Sequence, residues 1–190
     1  MSTQKKAQYI IDNCVIIDTE TTGLGEDAEI IELAAVDPKT GEVLINTLIN
    51  TEVPIEDGAS AIHGIDEWDL VSAPKAEAVV QKLLSICDAM SKTFTSYNHS
   101  FDERLIHQSA ESLSAKTMNV ADPSCCVMEL ANRHFAADYA EWDRHSSRFK
   151  RMSLARCCEI AGIKFQGEAH RALADTLAAV DLLHFIANDK

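Results

Sequence analysis

The apolar positions along the chain fall into two rhythms. From Val15 to Ile17 three branched residues run together, and in EIIELAAVDPKTGEVLINTLIN (29–50) two apolar runs flank the turn-forming Asp37-Pro38-Lys39-Thr40-Gly41. Short branched runs bounded by turn residues predict strands, so the chain opens as a three-stranded antiparallel meander. Between Pro74 and Lys92 the rhythm changes. Val79, Val80, Leu83, Leu84 and Ile86/Cys87 recur on one helical face, predicting a helix that begins near the proline. TFTSYN then predicts a fourth strand, and FDERLIHQSA starts another helix. Beyond it the pattern predicts a short strand around Met118 to Ala121 and helices in SCCVMELANRHF and SLARCCEIAG, the latter closed by Gly162. A last helix runs from about Arg171 to Ala187. A meander followed by alternating helices and short strands predicts an α/β fold, with a mixed central sheet flanked by helices.

At 190 residues and 46% hydrophobic content, a single domain is expected over 1–190, with residues 1–10 as a flexible tail. No apolar run approaches the roughly 18 residues of a membrane span, and MSTQKKAQYIIDN lacks the apolar core of a secretory signal. A cytoplasmic protein without a membrane partner is expected. The six cysteines include the adjacent pairs Cys125-Cys126 and Cys157-Cys158 but no CxxC, so reduced, buried thiols are expected rather than a metal site. A net charge of -13 argues against gripping long nucleic acid through many phosphate contacts. It leaves open a protein that holds one chain end through metal ions.

The chemistry begins in VIIDTETTGLG (15–25). A strand alternates its side chains, so Asp18 and Glu20 project from one side of the sheet and crowd two negative charges together. A positive partner is required: a lysine, an arginine, or a divalent cation with oxygen ligands. Asp102 follows a predicted strand near the start of a helix, where an acid is also favoured simply by the helix dipole. His170 and Asp175 are five positions apart. On a continuous helix they would point about 140° apart, so a shared site needs His170 in the preceding loop and Asp175 inside the helix. Asp175 lies close to an apolar stripe and needs a partner there, or else faces solvent at the stripe's edge.

DTETTGL, NHSFD and HRALAD, in that order, resemble the DEDDh family of 3′→5′ exonucleases, over about residues 14–185. IIELAAV, AIHGI (61–65) and LARCCEIAGI resemble further family segments. The resemblance implies a ribonuclease H-like fold and hydrolysis of phosphodiester bonds from a free 3′ end, releasing nucleoside 5′-monophosphates. It implies that Asp18, Glu20, Asp102 and Asp175 bind two divalent cations, Mg2+ or Mn2+, and that His170 is the general base. Asp18 would be shared by both ions, Glu20 and Asp175 would lie toward the water and Asp102 toward the leaving group. HxxxxD matches the histidine branch rather than the tyrosine branch with its YxxxD. Thr21, Thr22, Gly23 and Leu24 would contact the terminal nucleotide, His63 its sugar, and Asn98 would orient Asp102 or its water. Ordinary turn and loop roles are the alternatives for each. Phe101 is expected in the core, a stacking platform being the alternative. Tyr97 replaces a histidine common in relatives.

RHSSRFKRMSLAR (144–156) carries Arg144, Arg148, Lys150, Arg151 and Arg156 without an acid, a candidate guide for a phosphate backbone or else a solvated loop. Glu32, in the apolar run IIELAAV, either supports the metal site from behind its ligands or faces solvent, and is assigned to neither. The expected substrate is single-stranded or frayed DNA, the alternatives being an exoribonuclease with the same site or a non-catalytic nucleic-acid-binding subunit. A monomer or homodimer is expected. No extended tail follows Lys190, so an independent enzyme is expected over one tethered to a polymerase or repair partner.

Overall fold

In the computed structural model, which describes residues 1–110, 120–139, 141–143, 148–167 and 170–189, the opening meander is β1 (Cys14–Thr21), β2 (Ile30–Asp37) and β3 (Glu42–Leu48). β1 pairs antiparallel with β2, and β2 with β3. The β2–β3 turn is fixed by its own chemistry. Gly41 takes a φ of 76°, which costs glycine little, and the Asp37 carboxylate accepts from Lys39 N (3.1 Å), Thr40 Oγ1 (3.1 Å) and Lys92 Nζ (2.6 Å). The predicted fourth strand is β4 (Thr93–Ser96), which joins β1 in parallel and gives the order β3-β2-β1-β4 among the described residues.

β1 is central and buried on both faces. Val15 and Ile17 point to a core built with α4 (Ala76–Met90) and α5 (His99–Ser109). Ile16 points the other way, to a core built with α6 (Val127–Tyr139), α7 (Leu154–Ala161) and α8 (Ala172–Asn188). Period-two alternation thus assigns the even positions of β1 to the α8 face.

Three expectations change. Residues 1–10 are not a flexible tail: α1 (Thr3–Asn13) is capped by the Ser2 hydroxyl and buries Ala7, Ile10 and Ile11, a helical stripe, in the α8-side core. Two short helices also follow β3 unannounced, α2 (Asp57–His63) and α3 (Glu67–Leu70), each burying a single residue and so leaving almost no periodic signal. The basic segment contains a small ladder, β5 (Trp142–Asp143) with β6 (Arg148–Phe149). Of the strand expected around Met118 to Ala121, residues 118 and 119 lie outside the described residues, and Val120 bridges Phe94 in parallel. All six cysteines are free and buried. Among the described residues no helix is long and apolar enough to cross a membrane.

Candidate active site

Asp18 and Glu20 leave β1 on the same face, opposite Ala34 and Glu32 of β2. The ladder then slips: Thr21 pairs with Ile30, so Ile31 is an extra residue and regular pairing ends where the acids stand. α8 packs across this face and brings Asp175 in its first turn. Asp18, Glu20 and Asp175 each present a carboxylate oxygen, all within 4.8 Å of one another.

Enclosure and crowding push these acids toward the neutral form. Burial holds Asp18 well above the usual carboxylate range, and Asp102, Asp175, Glu20 and Glu32 add to it. Burial also pushes Glu20 up to about 8, with Asp175 and Glu32 contributing and the Arg171 guanidinium opposing. Asp175 is raised by burial, against the pull of His170. Three oxygen donors that repel one another at this separation fit a hard divalent cation, since the ion would supply the charge that the carboxylates lack.

Asp102 arrives from the other side of the sheet. It lies in the first turn of α5 and is 3% exposed. Thr19, which alternation turns away from Asp18 and Glu20, donates to its Oδ1 (2.8 Å), and Ser96 at the end of β4 donates to its Oδ2 (2.6 Å). Burial raises Asp102 to about 6, while these two hydroxyls favour its ionised form. Its charge is the first among those that raise Asp18. The structure therefore brings three of the four expected acids into one group and sets Asp102 behind Asp18, held by hydroxyls. Asn98 has no part in that hold: it caps α5 through its backbone, its carbonyl accepting from Phe101 N (2.8 Å). Tyr97 faces the core and donates to Met152 O (2.8 Å).

His170 lies just before α8, exposed, with a φ of 63°. For a residue with a Cβ this left-handed backbone costs on the order of 1 kcal/mol and needs neighbours that enforce it. The loop-then-helix arrangement that the spacing demanded is thus present.

The turn after β1 is tied across the sheet. Thr22 N donates to Glu29 O (2.9 Å), Glu29 N donates to the Thr22 hydroxyl (3.0 Å), Glu56 N donates to Thr22 O (2.8 Å), and Thr21 Oγ1 donates to Gly23 O (2.8 Å). Beside it opens a pocket of about 390 Å³ whose wall includes Glu20, Gly23, Leu24, Ile62, His63 and Phe101. Leu24 is 75% exposed, an apolar side chain standing at the pocket. The Glu56 carboxylate lies directly over Gly23, where a Cβ would collide with its Oε1. His63 is not a loop residue: it ends α2, is 6% exposed, accepts from Ile65 N at Nδ1 (3.0 Å), and its Nε2 is buried with no hydrogen-bond partner in good geometry among the described residues. Phe101 is partly buried, packing against the α4–α5 core while also lining the pocket.

The sequence gives no sign of the parts played by Thr19, Ser96 and Arg171, and leaves Glu32 open between supporting the site and facing solvent; at 3% exposed it does not face solvent. The face that Thr19 takes is legible, because it lies between two acids that face the other way; nothing local marks Ser96. In the basic segment Lys150, Arg151 and Arg156 pair with Glu141 (3.1 Å), Glu129 (3.3 Å) and Glu159 (2.5 Å), while Arg144 lies outside the described residues.

An exonuclease family model matches residues 15–183. An uncharacterized exonuclease, CP81, of Escherichia phage 186 is 34% identical over 190 residues, covering 95% of this chain and 92% of that one. A DNA polymerase III of PolC type from Caldanaerobacter subterraneus is 29% identical over 88% of this chain, which spans only 11% of the polymerase. Among solved structures, Exonuclease X in complex with 5′ overhanging duplex DNA superposes with a TM-score of 0.66 at 26% identity, over 93% of this chain and 92% of that one. E. coli Exonuclease I in complex with a dT13 oligonucleotide shares the fold, with a TM-score of 0.65 at 16% identity, over 92% of this chain and 40% of that one. The fold is the ribonuclease H-like α/β fold that the sequence implied. The mixed sheet, the acids converging at the end of its inner strand β1, and a family match over nearly the whole chain lead to one conclusion: this protein belongs to the exonuclease family.

Proposed function

We propose that the protein is a metal-dependent 3′→5′ exonuclease that removes nucleoside 5′-monophosphates from a free 3′ end, acting on single-stranded or frayed DNA. The observation that carries this reading is the approach of Asp18, Glu20 and Asp175 to within 4.8 Å, beside a pocket of about 390 Å³. That volume suits one terminal nucleotide and would set it against the acids. DNA is favoured because relatives carry the names of DNA polymerases and Exonuclease X was solved with DNA.

Asp18, Glu20 and Asp175, with Asp102, would hold two divalent cations, Mg2+ or Mn2+. Bound there, the ions supply charge neutralisation for the attacking and departing oxygens of an in-line displacement. The chain's own residues do the rest. Thr21, Thr22, Gly23 and Leu24 bind the terminal nucleotide, with its base against Leu24 and its sugar near His63, which lines the same pocket. His170 accepts the proton of the attacking water as a bond forms from that water to phosphorus. The P–O3′ bond breaks, the 5′-monophosphate leaves, and O3′ of the shortened chain takes up a proton. His170 is exposed and lies just ahead of the helix that carries Asp175. Asn98 stands near the start of α5 as a further substrate contact.

The test is cleavage of 3′-labelled and 5′-labelled single-stranded DNA and RNA of one sequence, with magnesium, with manganese and with EDTA. Stepwise shortening from the 3′ end that EDTA stops, faster on DNA, is expected. Faster cleavage of RNA would make the protein an exoribonuclease. No cleavage by a protein shown to bind Mn2+ would leave a nucleic-acid-binding subunit of the same fold.

A further inference from the structure

On β2, directly across from Glu20, stands a carboxylate that none of the foregoing chemistry uses. Glu32 is 3% exposed, and its hydrogen bonds run to the residues that follow His170. Its Oε1 accepts from Arg171 Nη2 (2.5 Å), and its Oε2 accepts from Arg171 Nε (3.2 Å) and from the backbone N–H of Ala172 (2.9 Å). We propose that Glu32 and Arg171 are positioning residues: a clamp from β2 that sets the start of α8, and with it the aim of His170 and Asp175. This inference rests on the exonuclease reading for its consequence in turnover, and on the geometry alone for the clamp.

Three observations carry it. First, among the described residues α8 has no side-chain cap of its own. Its N-cap is Arg171, whose side chain makes no cap hydrogen bond, whereas serine, threonine, aspartate or asparagine would serve that role locally. The N–H of Ala172 is satisfied by Glu32 from another element, which stabilises the helix start and also fixes its place against the sheet. Second, the arrangement is a costly route to stability. A carboxylate 4% exposed stands directly opposite the like-charged Glu20, and its partner is a guanidinium that is itself partly exposed to solvent. A bidentate fork imposes a fixed orientation that a single point contact does not. Third, the clamped residue follows His170, whose φ of 63° persists only under outside constraint. Arg171 and Ala172, held on β2, supply that constraint, and Asp175 is one turn further along the same fixed helix; Asp175 N in turn donates to Arg171 O (3.1 Å).

The experiment compares wild type with Glu32→Gln, Arg171→Met and the double variant. The Glu32→Gln change keeps the shape but presents an amide donor to three donors. Arg171→Met keeps the stem of a partly exposed residue and so guards against a variant that fails to fold. Amide hydrogen exchange in the metal-free protein should be about tenfold faster at residues 172–176 in Glu32→Gln and unchanged in β1. With metal, turnover on the labelled 3′ end should fall about 30- to 100-fold in each single variant, with KM and Mn2+ affinity within about threefold of wild type. The double variant should be no worse than the weaker single, because both changes remove one device. Unchanged exchange at 172–176, turnover within about twofold of wild type, or independent losses that multiply in the double variant would each overturn the clamp. Faster exchange in a protein whose wild type cleaves nothing would overturn the exonuclease reading and leave the clamp standing.

Discussion

Thr19 donates a 2.8 Å hydrogen bond to Asp102, so the residue that strand alternation turns away from the acid pair on β1 anchors the acid on the opposite face. The two sides of the sheet are thereby joined through neighbouring residues, Asp18 and Thr19. Replacing Thr19 with valine removes one of the two hydroxyls that favour ionised Asp102 and leaves Ser96. Stability should fall by about 1–2 kcal/mol. Asp102, already raised to about 6, should rise further, so the acid limb of the pH–rate profile should move to higher pH. Rate profiles of wild type and Thr19→Val between pH 5 and 8 check this.

Glu20 gives the metal-free protein a definite pH dependence. Its folded-state value is about 8 against an ordinary 4.5, so between those limits the folded state binds more protons than the unfolded one. Stability contributed by the protonated group is complete below about 4.5 and is lost as pH rises toward 8. In EDTA, the melting temperature of wild type should therefore fall relative to Glu20→Gln over that window. Adding Mg2+ at pH 8 should recover the loss in wild type more than in the variant. Calorimetry at several pH values, with and without the ion, measures both.

Asp18→Ala should abolish cleavage, and in EDTA at pH 8 the variant should be as stable as wild type or more so, because a crowded, enclosed carboxylate has gone. His170→Ala should behave differently. Loss of a general base lowers turnover by about 10²- to 10⁴-fold, while Mn2+ affinity should change little. Single-turnover rates beside Mn2+ titrations separate the two; an equal loss of rate and affinity in His170→Ala would make His170 an organiser of the site.

Gly23→Ala drives a methyl group into Glu56 Oε1. The obstruction is the end of an exposed side chain, which can swing aside, so stability should change by less than about 0.5 kcal/mol. The displaced carboxylate alters the pocket wall, and KM for the 3′ end should shift more than turnover does. Steady-state kinetics and a melting curve test the two halves.

Ile10→Ala reports on the amino-terminal helix. Ile10 has no exposed surface and lies in the α8-side core, so truncation should cost about 2–5 kcal/mol. A residue in a flexible tail would cost nothing, and chemical denaturation distinguishes the outcomes.

Local pattern alone sufficed for the meander, the β2–β3 turn, the long helices and the placing of His170 in a loop ahead of Asp175, because alternation, helical periodicity and turn chemistry are properties of neighbours in the chain. The same local rules placed Asp18 and Glu20 on one face, and the order of three short motifs gave the family. The burial of α1 was within reach in the spacing of Ala7, Ile10 and Ile11, yet its partner surface on α8 lies more than 160 residues away. Only tertiary structure decided which groups hold the acids: Thr19 and Ser96 on Asp102, and Glu32 on Arg171 and Ala172 across 139 and 140 positions. Hydrogen bonds and charge repulsion depend on distance in space, and the folded sheet sets those distances by bringing strand, hydroxyl and helix end to one place.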